Sequence, residues 1–242
     1  MRVLAVITAR GGSKRLPEKN IRPLNRRPLI VWSIDAARGL PDICDILVST
    51  DDEKIAQVAR TEGASAPWLR PAELSSDTAS SVDVCLHALD WYESEHGEVD
   101  GLLLLQPTSP FRSVTTIIRG LAMFERLPRR PVVSVSPAAS HPLWCYRLED
   151  NVMIPYVARG GEAIRSQDLQ QAHVLNGALY IIRPDQLRAT RTFCPPDAQP
   201  LLIEPPWEGL DIDTPWDWFL AERIAENLSE LKGICLSKHS SR

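Results

Sequence analysis

Short β-branched apolar runs alternate with longer amphipathic stretches along most of this 242-residue chain. Val3 to Ile7 is the first such run and predicts a buried strand. Ile21 to Arg27 is polar and reads as extended. Pro28 then stands where a helix can start, since its missing N–H costs nothing there. Leu29, Ile30, Trp32, Ser33, Ile34, Ala36 and Ala37 fill that helix, which stops at Gly39 and Pro41. A second strand is expected over Asp45 to Ser49, with Asp51 and Asp52 leading into a helix from Glu53 to Glu62 that Gly63 closes. Further helices are predicted at Val82 to Glu95, Val114 to Leu127, Pro184 to Ala189 and Pro215 to about Leu228. Strands are predicted at Gly101 to Leu105, Pro131 to Val135, Ala178 to Ile182 and Leu201 to Glu204. Strand, helix and strand in alternation imply an α/β fold: a mostly parallel sheet with right-handed crossovers and helices on both faces.

The pattern weakens from Ser136 to Asn176, which is too long for a plain connection and holds a hairpin-like region near Glu149, Asp150 and Asn151. We expect residues 137–177 to form a small inserted lobe on a single domain spanning 1–232. Gly233 to Arg242 carries no usable pattern and is expected to be a mobile tail.

Bulk properties narrow the function by exclusion. A net charge of −4 gives no overall bias towards nucleic acid or anionic membrane, so any anion must be held by a local basic cluster. The five cysteines are scattered and form no CxxC, which argues against a disulfide framework or a zinc site and fits a reducing compartment. The apolar run at the start is too short for a signal peptide or a membrane span, so a soluble cytoplasmic protein is expected.

That local basic cluster follows the first strand: Ala9, Arg10, Gly11, Gly12, Ser13, Lys14 and Arg15, then Lys19 and Asn20. Loops at strand C-termini are where α/β sheets bind ligands, and adjacent glycines let a backbone come close to one. The charge suits a polyphosphate; a solvated basic turn would use the same residues. Neither GxxxxGK[ST] nor GxGxxG is present. Arg70 and a row of hydroxyls precede the helix at Val82, and Ser80 or Ser81 can cap that helix, bind an anion at its N-terminus, or do both. Gln106 at the next strand end can both donate and accept through its amide, with Thr108 and Ser109 beside it between two prolines. Late in the chain, GLDIDT places Asp211 and Asp213 at alternate positions. On a strand they would share one face, with Ile212 turned into the core. Two close carboxylates suit a magnesium ion completed by phosphate and water; alternatively Asp213 or Thr214 caps the following helix. Trp207, Trp216, Trp218 and Phe219 are expected in core or interface packing.

ARGGSKRLPEKNI, RPAELSSDTASS, QPTSPFR and LDIDT, in that order, resemble the signatures of the acylneuraminate cytidylyltransferases, the enzymes that make CMP-sialic acid and related CMP-sugars. The resemblance spans Met1 to about Leu228. It implies a Rossmann-like nucleotidyltransferase fold whose inserted lobe serves the acceptor pocket and the dimer contact. It implies CTP and a sialic-acid-like sugar acid as substrates, Mg2+ on Asp211 and Asp213, and a homodimer without nucleic-acid or membrane partners. Arg10, Lys14 and Lys19 would act on the triphosphate with the two aspartates. Ala9, Gly11, Ser13, Asn20, Arg70 and Ser81 would join Arg10 in binding the nucleotide. Gln106, Thr108, Ser109, Arg165 and Asn176 would bind the acceptor. Two departures stand out. Trp144 replaces a lysine, and Val174 an arginine, that some sialic-acid-specific members carry, so the sequence looks more like members activating legionaminic- or pseudaminic-type sugars. Another acceptor such as Kdo, GTP as donor, a non-catalytic nucleotide-binding regulator and a tryptophan-based interaction protein are the competing readings.

Overall fold

The structure, a computed structural model, describes residues 1–76, 78–126, 128–157 and 169–239, with side chains to 233 in the last helix. β1 (Val3–Thr8) is buried along nearly its whole length because both its faces are covered. The polar stretch after the first loop is not simply extended. It folds into a miniature antiparallel ribbon, β2 (Pro23–Leu24) and β3 (Arg27–Pro28). Asn25 and Arg26 turn it with φ of 47° and 67°, the primed-turn geometry that matches strand twist. α1 (Leu29–Ala37) starts directly after Pro28, and β4 (Ile43–Ser49) returns parallel to β1. α2 (Glu53–Thr61) is capped by the Asp52 carboxylate, which accepts from the amides of Lys54 and Ile55 at 2.7 and 3.3 Å. α3 (Ser81–His96), β5 (Gly101–Leu104), α4 (Val114–Glu125) and β6 (Val132–Pro137) follow.

The chain then leaves the sheet. β7 (Tyr146–Glu149) and β8 (Val152–Pro155) form a separate hairpin turned by Asp150 and Asn151, both at positive φ. β9 (His173–Ile182) brings the chain back into the main sheet, followed by α5 (Pro184–Thr190), β10 (Gln199–Leu202) and α6 (Pro215–His239). Helix α6 thus runs well past Leu228, through much of the segment where the sequence shows no pattern.

The main sheet has the order β10-β6-β9-β5-β1-β4. Only β9 runs antiparallel to its neighbours. Side-chain alternation sends Val3, Ala5 and Ile7 to one face, under α1, α2 and α4, and Leu4 and Val6 to the other, under α3 and α5. Each fully buried leucine or isoleucine there contributes roughly 1.5–3 kcal/mol. Packing is tight: a Cβ at Gly101 would lie 2.6 Å from the Phe124 ring. A third cluster joins Leu16, Leu24 and Leu29 to Phe111, Trp207, Ile212, Trp218 and Ala221, and so anchors α6 over the first loop.

Two features of this topology make the site. β4 and β5 flank β1 on opposite sides, so the crossovers diverge there and leave a crevice at the strand C-termini. Because β9 runs the other way, its beginning rather than its end meets that crevice. β9 is also longer than the strand read from sequence. Its pairing with β6 shifts register between Val133 and Val135, and Gly177 takes φ +73°. The Ser134 hydroxyl fills the gap, donating to Asn176 Oδ1 at 2.6 Å and accepting from the Leu179 amide at 2.8 Å.

Candidate active site

A cleft of about 500 Å³ opens at the crevice. Its walls come from the β1 loop (Thr8, Arg10, Ser13, Lys14, Arg15, Leu16, Lys19 and Asn20), the segment into α3 (Arg70, Ser76, Ala79 and Ser81), and the β5 loop (Gln106, Pro107 and Thr108), with Asp213 opposite. The loop is tied down from several directions. Asn20 is buried and donates its amide to the Arg10 carbonyl at 2.9 Å. Asp51 accepts the Gly11 N–H at 2.9 Å. A side chain at Gly11 would strike Asp52, 2.6 Å away, so the first glycine serves close approach within the protein. The Gly11 amide is therefore directed at Asp51, where close approach of the glycine backbone to a ligand is expected from the sequence. Ala9 is buried at the strand end, its amide on the Ser49 carbonyl. Neither Ala9 nor Gly11 is among the cleft's lining residues.

The cations remain the loop's contribution to the cleft. Arg70 is buried, 3.7 Å from Asp51, and its Nε finds no hydrogen-bond partner among the described residues. Burial depresses the proton affinity of its guanidinium; Asp51 works against that and Arg10 adds to it. A buried donor left over at a cleft wall is a place for a ligand oxygen. At the start of α3 the two serines divide the work: Ser80 caps the helix through the Val82 amide, and Ser81 faces the cleft.

Lys19 reaches across the cleft mouth, donating to the Ile212 carbonyl at 2.7 Å and to Asp213 at 3.2 Å. The aspartate segment is not a strand; it runs irregularly into α6, held by the Ile212 amide on the Thr108 carbonyl at 2.8 Å. The alternation survives nonetheless. Ile212 is fully buried, while Asp211 and Asp213 both present surface to solvent. Thr214 and Asp217 form a reciprocal capping box for α6, so Asp213 is not needed as its cap. Lost hydration raises the Asp211 pKa, a hydrogen bond from Thr108 opposes this, and the Asp213 charge adds to it.

A second cavity of about 480 Å³ adjoins the first. Gln106 lines both, and the two carboxylates divide between them: Asp213 belongs to the first and Asp211 to the second. Ser136, Val174, Leu175, Asn176, Gly177, Tyr180, Ile203 and Glu204 complete most of its walls. Asn176 is braced by Ser134 and donates to Ser136 at 2.8 Å. Ser109 does not face this space; it is fully buried, its hydroxyl on the Asn176 carbonyl at 3.4 Å. Arg165 lies outside the described residues. Tyr180, Ser136 and Glu204 were not singled out from sequence, because no local motif marks them. Asp51 was read only with Asp52 as a strand end leading into a cap, and here the two divide: Asp52 caps α2 while Asp51 serves the loop.

A basic cleft with Asp213 opposite, at the point where a mostly parallel sheet reverses its strand order, defines an α/β protein with an anion-binding crevice at its strand ends. The chain belongs to the cytidylyltransferase family, whose model matches residues 4–140. It is 40% identical to a CMP-N,N'-diacetyllegionaminic acid synthase of Legionella pneumophila over 93% of this chain and 97% of that protein. It is 32% identical to a pseudaminic acid cytidylyltransferase of Campylobacter jejuni over 74% of this chain and 78% of that one. An N-acylneuraminate cytidylyltransferase of Escherichia coli is 30% identical over 96% of this chain, which spans 54% of that longer protein. Among solved folds, a CMP:2-keto-3-deoxy-manno-octonic acid synthetase complexed with CTP superposes with a TM-score of 0.67 at 17% identity, covering 95% of this chain and 99% of that one.

Proposed function

We propose that the protein transfers CMP from CTP to the anomeric hydroxyl of a nonulosonic acid of the legionaminic type, releasing pyrophosphate. The observation that carries this reading is that Lys14, Lys19, Arg10, Arg70 and Asp213 line one cleft while Asp211 lines the cavity next to it. The first cavity takes the triphosphate, the second the sugar acid, and Gln106 stands where they meet. Arg10, Lys14 and Lys19 offset the charge of CTP and of the departing pyrophosphate. Ser13, Asn20, Arg70 and Ser81 position the nucleotide, and Gln106 and Asn176 the acceptor; Thr108, expected with the acceptor, lines the first cavity instead. The anomeric oxygen attacks the α-phosphorus, the bond from that phosphorus to the bridging oxygen breaks, and the hydroxyl proton passes to solvent.

In this reading Asp211 and Asp213, hard oxygen donors on either side of the border between the two cavities, would hold Mg2+, with phosphate and water completing its shell. Such an ion would supply charge stabilisation at the phosphate. No described helix is long and apolar enough to cross a membrane. Leu148, Val152, Met153 and Tyr156 of the β7–β8 hairpin and its exit are exposed, and a second copy of the chain covering them would make the homodimer.

The test is a screen of legionaminic, pseudaminic and neuraminic acids and Kdo with magnesium and either CTP or GTP, followed by pyrophosphate release. Turnover confined to Kdo, or equal with GTP, would overturn the reading.

A further inference from the structure

Behind the wall shared by the two cavities, Arg112 is buried and grips three elements at once. Its Nε donates to the Ala178 carbonyl on β9 at 2.6 Å, one Nη to the Ser33 hydroxyl on α1 at 2.8 Å, and the other Nη to the Gln106 carbonyl. The next residue, Ser113, caps α4, and its amide donates to Glu208 at 3.1 Å. Glu208 is itself buried, accepts the Thr116 hydroxyl at 2.6 Å, and sustains the charge on Arg112 against the burial that pulls its pKa down to about 9. Glu208 precedes Gly209, where a Cβ would meet the Ser136 hydroxyl at 2.6 Å, and the aspartate segment follows. On the other side of the grip, the Gln106 amide lies over Gly177, where a Cβ would come within 2.7 Å of its Oε1.

We infer that Arg112, backed by Glu208, is a positioning residue that fixes the Gln106 amide against Gly177 and so sets the affinity for the sugar acid. The inference rests on the function proposed above. Arg112 lines neither cavity. It acts by holding the β5 loop and β9 at one spacing through a planar fork that a lysine cannot reproduce. Gln106 borders both cavities, but the β1 loop, which supplies most of the nucleotide cations, is tied by other bonds, from Asn20 and Asp51, and Gly177 lines the second cavity alone, so the effect should fall chiefly on the sugar acid.

The experiment measures KM for the sugar acid and for CTP separately in Arg112→Lys, with thermal melting of the same preparation. Wild-type turnover of CTP and sugar acid comes first; its failure would count against the proposed function rather than this inference. The expected result is a rise of roughly tenfold to a hundredfold in sugar-acid KM, the effect of a small misplacement of a binding group, with CTP KM moving less than about twofold. Ser33→Ala removes a partner of the same guanidinium on the side away from the site; it should lower the melting temperature and leave both KM values alone. Should Arg112→Lys not yield folded protein, Glu208→Gln carries the same test, with a smaller selective rise expected. Equal shifts in both KM values, no shift in a folded Arg112 or Glu208 variant, or a sugar-acid KM that rises as much in Ser33→Ala would overturn the inference.

Discussion

The two cavities are neighbours of almost equal size, and their described walls differ in kind. Among the described residues, the first is lined by Arg10, Lys14, Arg15, Lys19 and Arg70 with one carboxylate, Asp213. The second has Glu204 and Asp211 and no lysine or arginine among its described lining residues. Val174, Leu175, Ile203, Pro137 and Pro206 give it apolar walls instead. On the proposed function the first takes the polyanion and the second a sugar acid with apolar substituents, its carboxylate towards the seam where Lys19 stands. On that reading the site brings two anions together by separating a cation-rich half from a more apolar one, with the carboxylates at their border.

The strongest way to break that contrast is at the border. Chelating divalent ions should abolish pyrophosphate release, by at least about a thousandfold, and added magnesium should restore it. Release that persists in chelator would remove the metal from the account. Lys19→Ala should lower kcat by roughly a hundredfold or more, as losing one preorganised charge does; near-native kcat with CTP would place the triphosphate elsewhere. Arg70→Lys sharpens the contrast from the other side: about a tenfold rise in CTP KM is expected, with sugar-acid KM unmoved. Outside both cavities, Gly101→Ala presses on Phe124 and should cost about 1–3 kcal/mol of stability by denaturant titration, without changing either KM below the unfolding range.

The smallest expected effect is on pH. The Asp100 carboxyl is held below its ordinary value, chiefly by the Arg2 amide and then by Arg129, against some lost hydration. Its contribution is therefore fully present at neutral pH and fades as pH falls through the ordinary carboxylate range towards the lowered value. Asp100→Asn should lose less stability between pH 7 and pH 3 than the parent; equal losses would contradict this.

The residues of the first cavity stood out because they are local: Arg10, Lys14 and Lys19 form one run of charge after one strand, while Arg70 and Ser81, beside one helix start, were singled out by the resemblance of RPAELSSDTASS, since residue type alone reads Ser81 as a cap. The second cavity draws Ser136, Asn176, Tyr180, Glu204 and Asp211 from separate elements joined by an antiparallel strand. Nothing local in the sequence marks Tyr180 or Ser136. The sequence reading starts β9 only at Ala178 because the pattern is weak up to Asn176; Ser134, forty-odd residues earlier, closes the gap that makes the strand continuous. Gly11 was misjudged for a similar reason. Adjacent glycines signal close approach, but the partner approached is Asp52 of the protein, and the N–H goes to Asp51. The apolar alternation at Ile212 held although the segment is no strand, because burial of one residue between two exposed ones needs only an extended backbone.

The most direct measurement is phosphorus NMR of a single turnover of the wild-type protein with CTP, magnesium and a diacetylated legionaminic-type acid. The account predicts one new phosphodiester resonance and pyrophosphate in equal amounts, with the triphosphate consumed. Inorganic phosphate and CDP in their place, or intact CTP under conditions where the protein is folded, would contradict it.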